Sequence, residues 1–132
     1  MTNNPKGNIL FVDGDPDTCD MMCILLERAG YQTVAVPTIS EGFQHTKTQK
    51  FDFILLDWCL ADGTGLDLCR WIRDIDEITP IFFYTGVAFP QELRKAIEAG
   101  AQGYFIKPVD IKMLVDTIDQ QVIGSKSGYS TE

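Results

Sequence analysis

Short apolar runs alternate along this chain with longer stretches in which apolar residues recur every three to four positions. The first run, Asn8 to Val12, predicts a buried strand. Pro16 then suits the first position of a helix with Asp15 as its N-cap, because proline has no N–H to leave unsatisfied there. This helix is expected to reach about Ala29, burying Met22, Leu25, Leu26 and Ala29, with Gly30 closing it. Tyr31 to Val36 predicts a second strand, and Thr38 and Glu41 have the spacing of a capping box that opens a weaker helix to about Thr48. Phe51 to Asp57 is the strongest strand, apolar enough for a central parallel strand covered on both faces. The tetrapeptide DGTG, residues 62 to 65, reads as a loop. Leu66 to Arg73 reads as a helix with Leu68, Trp71 and Ile72 facing inward. Pro80 to Tyr84 predicts a fourth strand, Glu92 to Ala99 a fourth helix closed by Gly100, Gly103 to Ile106 a fifth strand and Asp110 to Val122 a fifth helix. The remainder, GSKSGYSTE (124–132), reads as a polar tail or linker, frayed from the fold.

Strands alternating with helices in this way imply an α/β protein with a five-stranded parallel sheet and helices on both faces. Right-handed crossovers then give a three-layer sandwich. The strand order 2-1-3-4-5, the flavodoxin-like arrangement, is a common solution at this size. One domain is expected, over residues 7–123.

Composition narrows the function classes. Of the 132 residues, 45% are hydrophobic, enough for a real core, and the formal net charge is -8. That charge argues against direct nucleic-acid binding, which needs a basic footprint, and against an anionic membrane surface. No apolar run approaches the ~20 residues of a membrane-spanning helix. The opening MTNNPKGN has no signal-peptide core, so a cytoplasmic protein is expected. Cys19, Cys23, Cys59 and Cys69 fit reduced thiols there, and Cys19 and Cys23, one helical turn apart, read as small buried thiols rather than a metal pair.

In sheets of this class, ligands bind beyond the carboxyl ends of the strands. Asp13, Asp57, Thr85 and Lys107 stand at the ends of the first, third, fourth and fifth strands; the second ends in Val36-Pro37, which suits an edge. Carboxylates bind a hard cation such as Mg²⁺, and a carboxylate can attack phosphorus to form an aspartyl phosphate. A lysine and a hydroxyl can stabilise the added phosphoryl oxygens. A single aspartate at a strand end is usually a turn former or cap, which fits Asp15 and Asp17; four polar groups at four strand ends point to a shared site.

The segments ILFVDGDPD, FDFILLDWCLADGTGLDL, IFFYTG and AGAQGYFIKPV, in this order and spacing, resemble the receiver domain of two-component response regulators over about residues 7 to 123. The resemblance implies that Asp57 accepts a phosphoryl group from the phosphohistidine of a histidine kinase or phosphotransfer protein, with Mg²⁺ required. It implies that Thr85 and Lys107 contact the phosphoryl group and that the backbone carbonyl of Cys59 joins Asp13 and Asp57 at the metal. It further implies a cis Lys107-Pro108 peptide, a small residue at Gly86 that leaves the phosphoryl path open, and Tyr104 as a switch aromatic that follows Thr85 inward. The output falls to a downstream protein or an attached output domain.

Two positions depart from the family pattern. Gly14 replaces the second of two adjacent acids, generally the direct metal ligand, so weakened Mg²⁺ binding with the chemistry retained is expected. Ala61 stands where a proline is common, which bears on the stiffness of the loop after Asp57. Two other readings stay open. One is a degenerate receiver acting as a phosphorylation-independent interaction module. The other is a haloacid-dehalogenase-type phosphatase, in which FVDGD supplies Asp13 as nucleophile and Asp15 as general acid, at the cost of leaving Asp57 unexplained.

Overall fold

A computed structural model of the chain describes residues 5–86 and 89–127. The elements are β1 (Gly7–Val12), α1 (Pro16–Arg28), β2 (Tyr31–Val36), α2 (Ile39–Thr48), β3 (Phe53–Leu56), β4 (Cys59–Leu60), β5 (Gly63–Thr64), α3 (Gly65–Ile75), β6 (Ile81–Thr85), α4 (Pro90–Glu98), β7 (Gly103–Ile106) and α5 (Ile111–Ser127). Five strands form one parallel sheet in the order β2-β1-β3-β6-β7, which is 2-1-3-4-5 when the sheet strands alone are counted.

Side chains alternate across the pleat, so every central strand feeds two cores. Leu10, Val12, Ile54, Leu56, Ile81 and Phe83 pack beneath α2, α3 and α4, against Ile39, Leu68, Ile72 and Ala96. Ile9, Phe11, Phe53, Leu55, Phe82 and Phe105 pack on the other side against Met22 and Leu26 of α1 and Leu114, Ile118 and Val122 of α5. All four residues of β3 are buried, as a strand with helices on both faces requires. The helix starts follow the sequence: Asp15 accepts from Thr18 N, Thr38 from Glu41 N and Thr64 from Asp67 N. Gly30 and Gly100, at φ 105° and 109°, take the left-handed conformation just past α1 and α4. Phe89, before α4, offers no side-chain cap.

Arg73 binds the amino edge of the sheet together. Its Nε donates to Gly100 O (2.9 Å), and its terminal nitrogens donate to Asp76 O (3.0 Å), Thr79 O (2.8 Å) and Gln102 Oε1 (3.0 Å).

Four expectations need correction. Trp71 is 46% exposed and lies against the Phe43 ring at 5.6 Å, while Leu66, Leu68, Cys69 and Ile72 form the buried stripe of α3. The DGTG segment is no plain loop: Gly63 and Thr64 pair antiparallel with Leu60 and Cys59, and Gly65 opens α3. The tail starts later than expected, since α5 continues through Ser127; residues 128–132 lie outside the described residues. Of the cysteines only Cys69 is fully buried; Cys19 and Cys23 are half-buried and Cys59 is exposed, all as free thiols. No helix among the described residues is long and apolar enough to cross a membrane.

Candidate functional site

The ladder hydrogen bonds run one residue past the strands and so place the site. Asp13 N donates to Val36 O (3.1 Å), Asp57 N to Val12 O (2.8 Å) and Lys107 N to Thr85 O (2.8 Å). These bonds fix Asp13, Asp57 and Lys107 at the carboxyl edge of adjacent strands, beside Thr85, the buried last residue of β6.

Lys107 Nζ lies 3.3 Å from Asp13 Oδ2 and 3.5 Å from Asp57 Oδ1. The Asp13 side chain is 3% exposed, that of Asp57 17% and that of Lys107 32%. Asp13 Oδ1 accepts from Asp15 N (2.9 Å), and Asp57 Oδ1 also accepts from Trp58 N (2.8 Å). Burial raises the Asp57 pKa and the charge on Asp13 adds to it, while Lys107 opposes both. Burial pulls the Lys107 pKa down, but Asp57 and Asp13 outweigh it and leave the ammonium above its usual range. The peptide from Lys107 to Pro108 is cis, as the resemblance implied.

Two neighbours of the site were not anticipated. The Tyr84 ring sits 4.9 Å from Lys107 Nζ, an attraction between the cation and the ring face that steadies the ammonium. Cys19 Sγ donates to the Asp13 carbonyl (3.1 Å), and burial followed by the Asp13 charge pushes this thiol up to about 11. The alternation of Tyr84 with Thr85 at the end of β6 puts the ring on the α1–α5 side, a position the apolar run IFFYT carries but does not mark as functional.

Asp15 is occupied elsewhere. Its Oδ2 accepts from Thr18 N (3.2 Å) and the Thr18 hydroxyl (2.5 Å), and the hydroxyl bond leads in holding its carboxyl below the usual range. Asp15 is therefore a helix cap and not an inward ligand. Gly14 leaves open space: a Cβ built there meets only Pro37 O, at 3.9 Å. At Gly86 a Cβ would meet nothing within 4 Å. Tyr104 is 40% exposed on β7, turned outward.

The donors suit a hard cation in kind and are few in number. Asp13 and Asp57 offer carboxylate oxygens, and Cys59, on the hairpin two residues after Asp57, offers a backbone carbonyl. Among the described residues no group of three or more His, Cys, Asp or Glu side chains could hold a metal ion. Mg²⁺ accepts such a set, because it keeps several waters and needs only one or two carboxylates.

The sequence matches the response regulator receiver domain family over residues 9–119. It is 33% identical over 110 residues to the DNA-binding response regulator MtrA of Mycolicibacterium smegmatis, covering 83% of this chain and 48% of MtrA. It is 25% identical over 116 residues to the polar-differentiation response regulator DivK of Brucella anthropi, covering 86% of this chain and 94% of DivK. The chain thus spans about half of MtrA, and 24% of the response regulator protein PilR of Pseudomonas aeruginosa. Among solved structures it superposes on a CheY-like receiver domain protein of Methanospirillum hungatei with a TM-score of 0.88 at 26% identity, covering 92% of this chain and 98% of that one. A two-component response regulator of Clostridium difficile gives a TM-score of 0.86 at 28% identity, with the same coverage. The chain belongs to the response regulator receiver domain family.

Proposed function

We propose that this receiver domain, over residues 7–123, takes a phosphoryl group onto Asp57 from the phosphohistidine of a histidine kinase or phosphotransfer protein. An Asp57 carboxylate oxygen attacks phosphorus, the phosphorus–nitrogen bond breaks, and the imidazole leaves with the bonding pair. Asp57 suits this role better than Asp13, because Asp13 is more deeply buried and both its carboxylate oxygens are engaged. Lys107 lies against both acids and offsets the charge that the new phosphoryl group brings. The Thr85 hydroxyl donates to a phosphoryl oxygen, and Gly86 keeps the approach open. Mg²⁺, held by Asp13, Asp57 and the Cys59 carbonyl, supplies further neutralisation when bound, weakly because Gly14 contributes no carboxylate.

The switch belongs to the same reading. Thr85 moves toward the added phosphoryl group, and Tyr104, now outward, turns into the space it leaves. This alters the surface formed by α4, β7 and α5, which a downstream protein or an attached output domain reads. The domain signals in the cytoplasm and does not itself catalyse turnover of a substrate.

The observation that carries this reading is the single ammonium within 3.3 and 3.5 Å of two carboxylates at one sheet edge. Mg²⁺-dependent labelling with a small phosphodonor tests it. Wild type is expected to gain one acid-stable, base-labile acyl phosphate, mapped to Asp57 by mass spectrometry; Asp57→Asn gains none. Gly14 favours one second reading, a receiver that binds its partner without phosphorylation. Partner binding unchanged by the phosphodonor, with no label on Asp57, selects that reading.

A further inference from the structure

The segment after Asp57 is pinned at its far end to another part of the chain. Asp62 sits in the turn between β4 and β5. Its Oδ1 accepts from Ile39 N (2.9 Å) and its Oδ2 from Ser40 N (3.1 Å), at the start of α2. These amides are among the donors that a helix cannot satisfy internally. Thr38 takes a third, Glu41 N, at 3.2 Å. Helix α2 is thus capped twice, once from its own N-cap and once from a residue 23 positions later. The bond from Ile39 N leads in holding the Asp62 carboxyl below its usual range, so the charged form is the capping form at neutral pH.

An apolar contact backs the polar one. A Cβ on Gly63 would lie 2.9 Å from Ile39 Cδ1, so the hairpin turn rests on the first, buried residue of α2. From that turn the pairing of Leu60 with Gly63 and of Cys59 with Thr64 leads back to the site. Gly65 N donates to Trp58 O at 2.8 Å and closes the base of the hairpin. Cys59 therefore stands between two fixed points: the end of β3 and a turn tied to α2. Ala61 puts no ring constraint on the turn's own backbone, so the tie must supply the stiffness.

We propose that Asp62 is a positioning residue for the phosphoacceptor site: through α2 it holds the Cys59 carbonyl in place, and site occupancy and order at the start of α2 are linked. The proposal rests on the reading of Asp57, Asp13 and the Cys59 carbonyl as the Mg²⁺ site. Linkage is reciprocal, so whatever the tie adds to cation affinity, the cation adds to the tie.

The test uses the full chain in a Trp71→Phe background, which leaves Trp58 as the only tryptophan and the reporter of Mg²⁺ binding. Asp62→Ala is expected to weaken Mg²⁺ roughly three- to tenfold, the size of a lost helix cap, and to speed amide exchange at Ile39 and Ser40. Asp62→Asn, which keeps a carbonyl oxygen as acceptor, falls between. Adding Ala61→Pro to Asp62→Ala should recover cation affinity without slowing exchange at α2. Mg²⁺ should slow exchange at Ile39 and Ser40 in the parent and not in Asp62→Ala. Faster exchange in Asp62→Ala with unchanged Mg²⁺ affinity overturns the proposal and leaves Asp62 a plain cap. If the parent itself binds no Mg²⁺ and takes no phosphoryl group, the proposed function falls. Exchange across residues 59–64 in metal-free Asp62→Asn then still decides whether the tie orders the hairpin.

Discussion

Replacing Lys107 with methionine removes one charge and keeps most of the aliphatic stem. The ammonium lies 3.3 Å from Asp13 Oδ2 and 3.5 Å from Asp57 Oδ1. At an effective dielectric constant of about 20, each contact is a gross attraction of roughly 5 kcal/mol. Desolvation of three groups opposes it, most of all at Asp13, whose side chain is 3% exposed. Breaking a buried pair typically costs about 3–5 kcal/mol, and the partial exposure of Lys107 discounts this to about 2–3 kcal/mol. In urea that is a midpoint lowered by roughly 1 M. The pH dependence has a definite sign. The Lys107 pKa is raised by folding, so its contribution is complete below the usual 10.5 and is lost only as pH rises through the folded value. Wild type therefore has all of it at neutral pH. In Lys107→Met, acidification protonates Asp57, already raised by burial and now without its opposing cation, and relieves the repulsion from Asp13. The stability gap between variant and wild type should narrow from pH 7.5 to pH 5 in metal-free buffer. A variant as stable as wild type at pH 7.5, or a gap that widens on acidification, refutes the reasoning.

Gly14→Asp has room at its Cβ, with Pro37 O the nearest atom at 3.9 Å. It should tighten Mg²⁺ binding about tenfold, read by Trp58 fluorescence, and lower stability without the metal by crowding a third carboxylate beside one lysine; unchanged affinity argues against the cation site. Gly65→Ala would place a Cβ 2.2 Å from Asp57 O and 2.9 Å from Phe83 Cε2, and backbone cannot yield as a flexible side chain does. A loss of at least ~2 kcal/mol is expected, and a thermal midpoint equal to wild type contradicts it. Asp57→Asn removes a group whose raised pKa makes stability fall as pH rises above the usual 3.8 through the folded value. The variant should gain on wild type between pH 4 and pH 7 in chemical unfolding, and parallel pH profiles count against this account.

The sheet was legible because burial on both faces leaves a mark that needs no partner to interpret. Phe53 to Leu56 is apolar throughout, and the residues that break such runs, Asp13, Asp57, Thr85 and Lys107, are those the structure brings to one edge. Trp71 misled because its size suggests burial, yet helical spacing gives the buried stripe to Leu68, Cys69 and Ile72 and leaves the indole to cover Phe43. The β4–β5 hairpin escaped notice since two-residue strands are too short to show any period. The polar run from Gly124 suggested a frayed tail, but a helix tolerates one glycine at a modest cost of about 1 kcal/mol, and α5 runs through it. The role of Asp62 was invisible for another reason: its partners are 22 and 23 residues away, and local spacing carries no trace of them.

The guanidinium of Arg73 gives α4 unequal ends. Beyond its last turn, Gly100 is anchored to α3 and to the segment ahead of β6, whereas at its start Phe89 offers no side-chain cap. A rod fastened at one end does not slide; it swings. A push delivered from the Thr85 side is then expected to appear as rotation about the Arg73 anchor, larger at Pro90 than at Glu98, so labels on α4 should report displacement graded along its length.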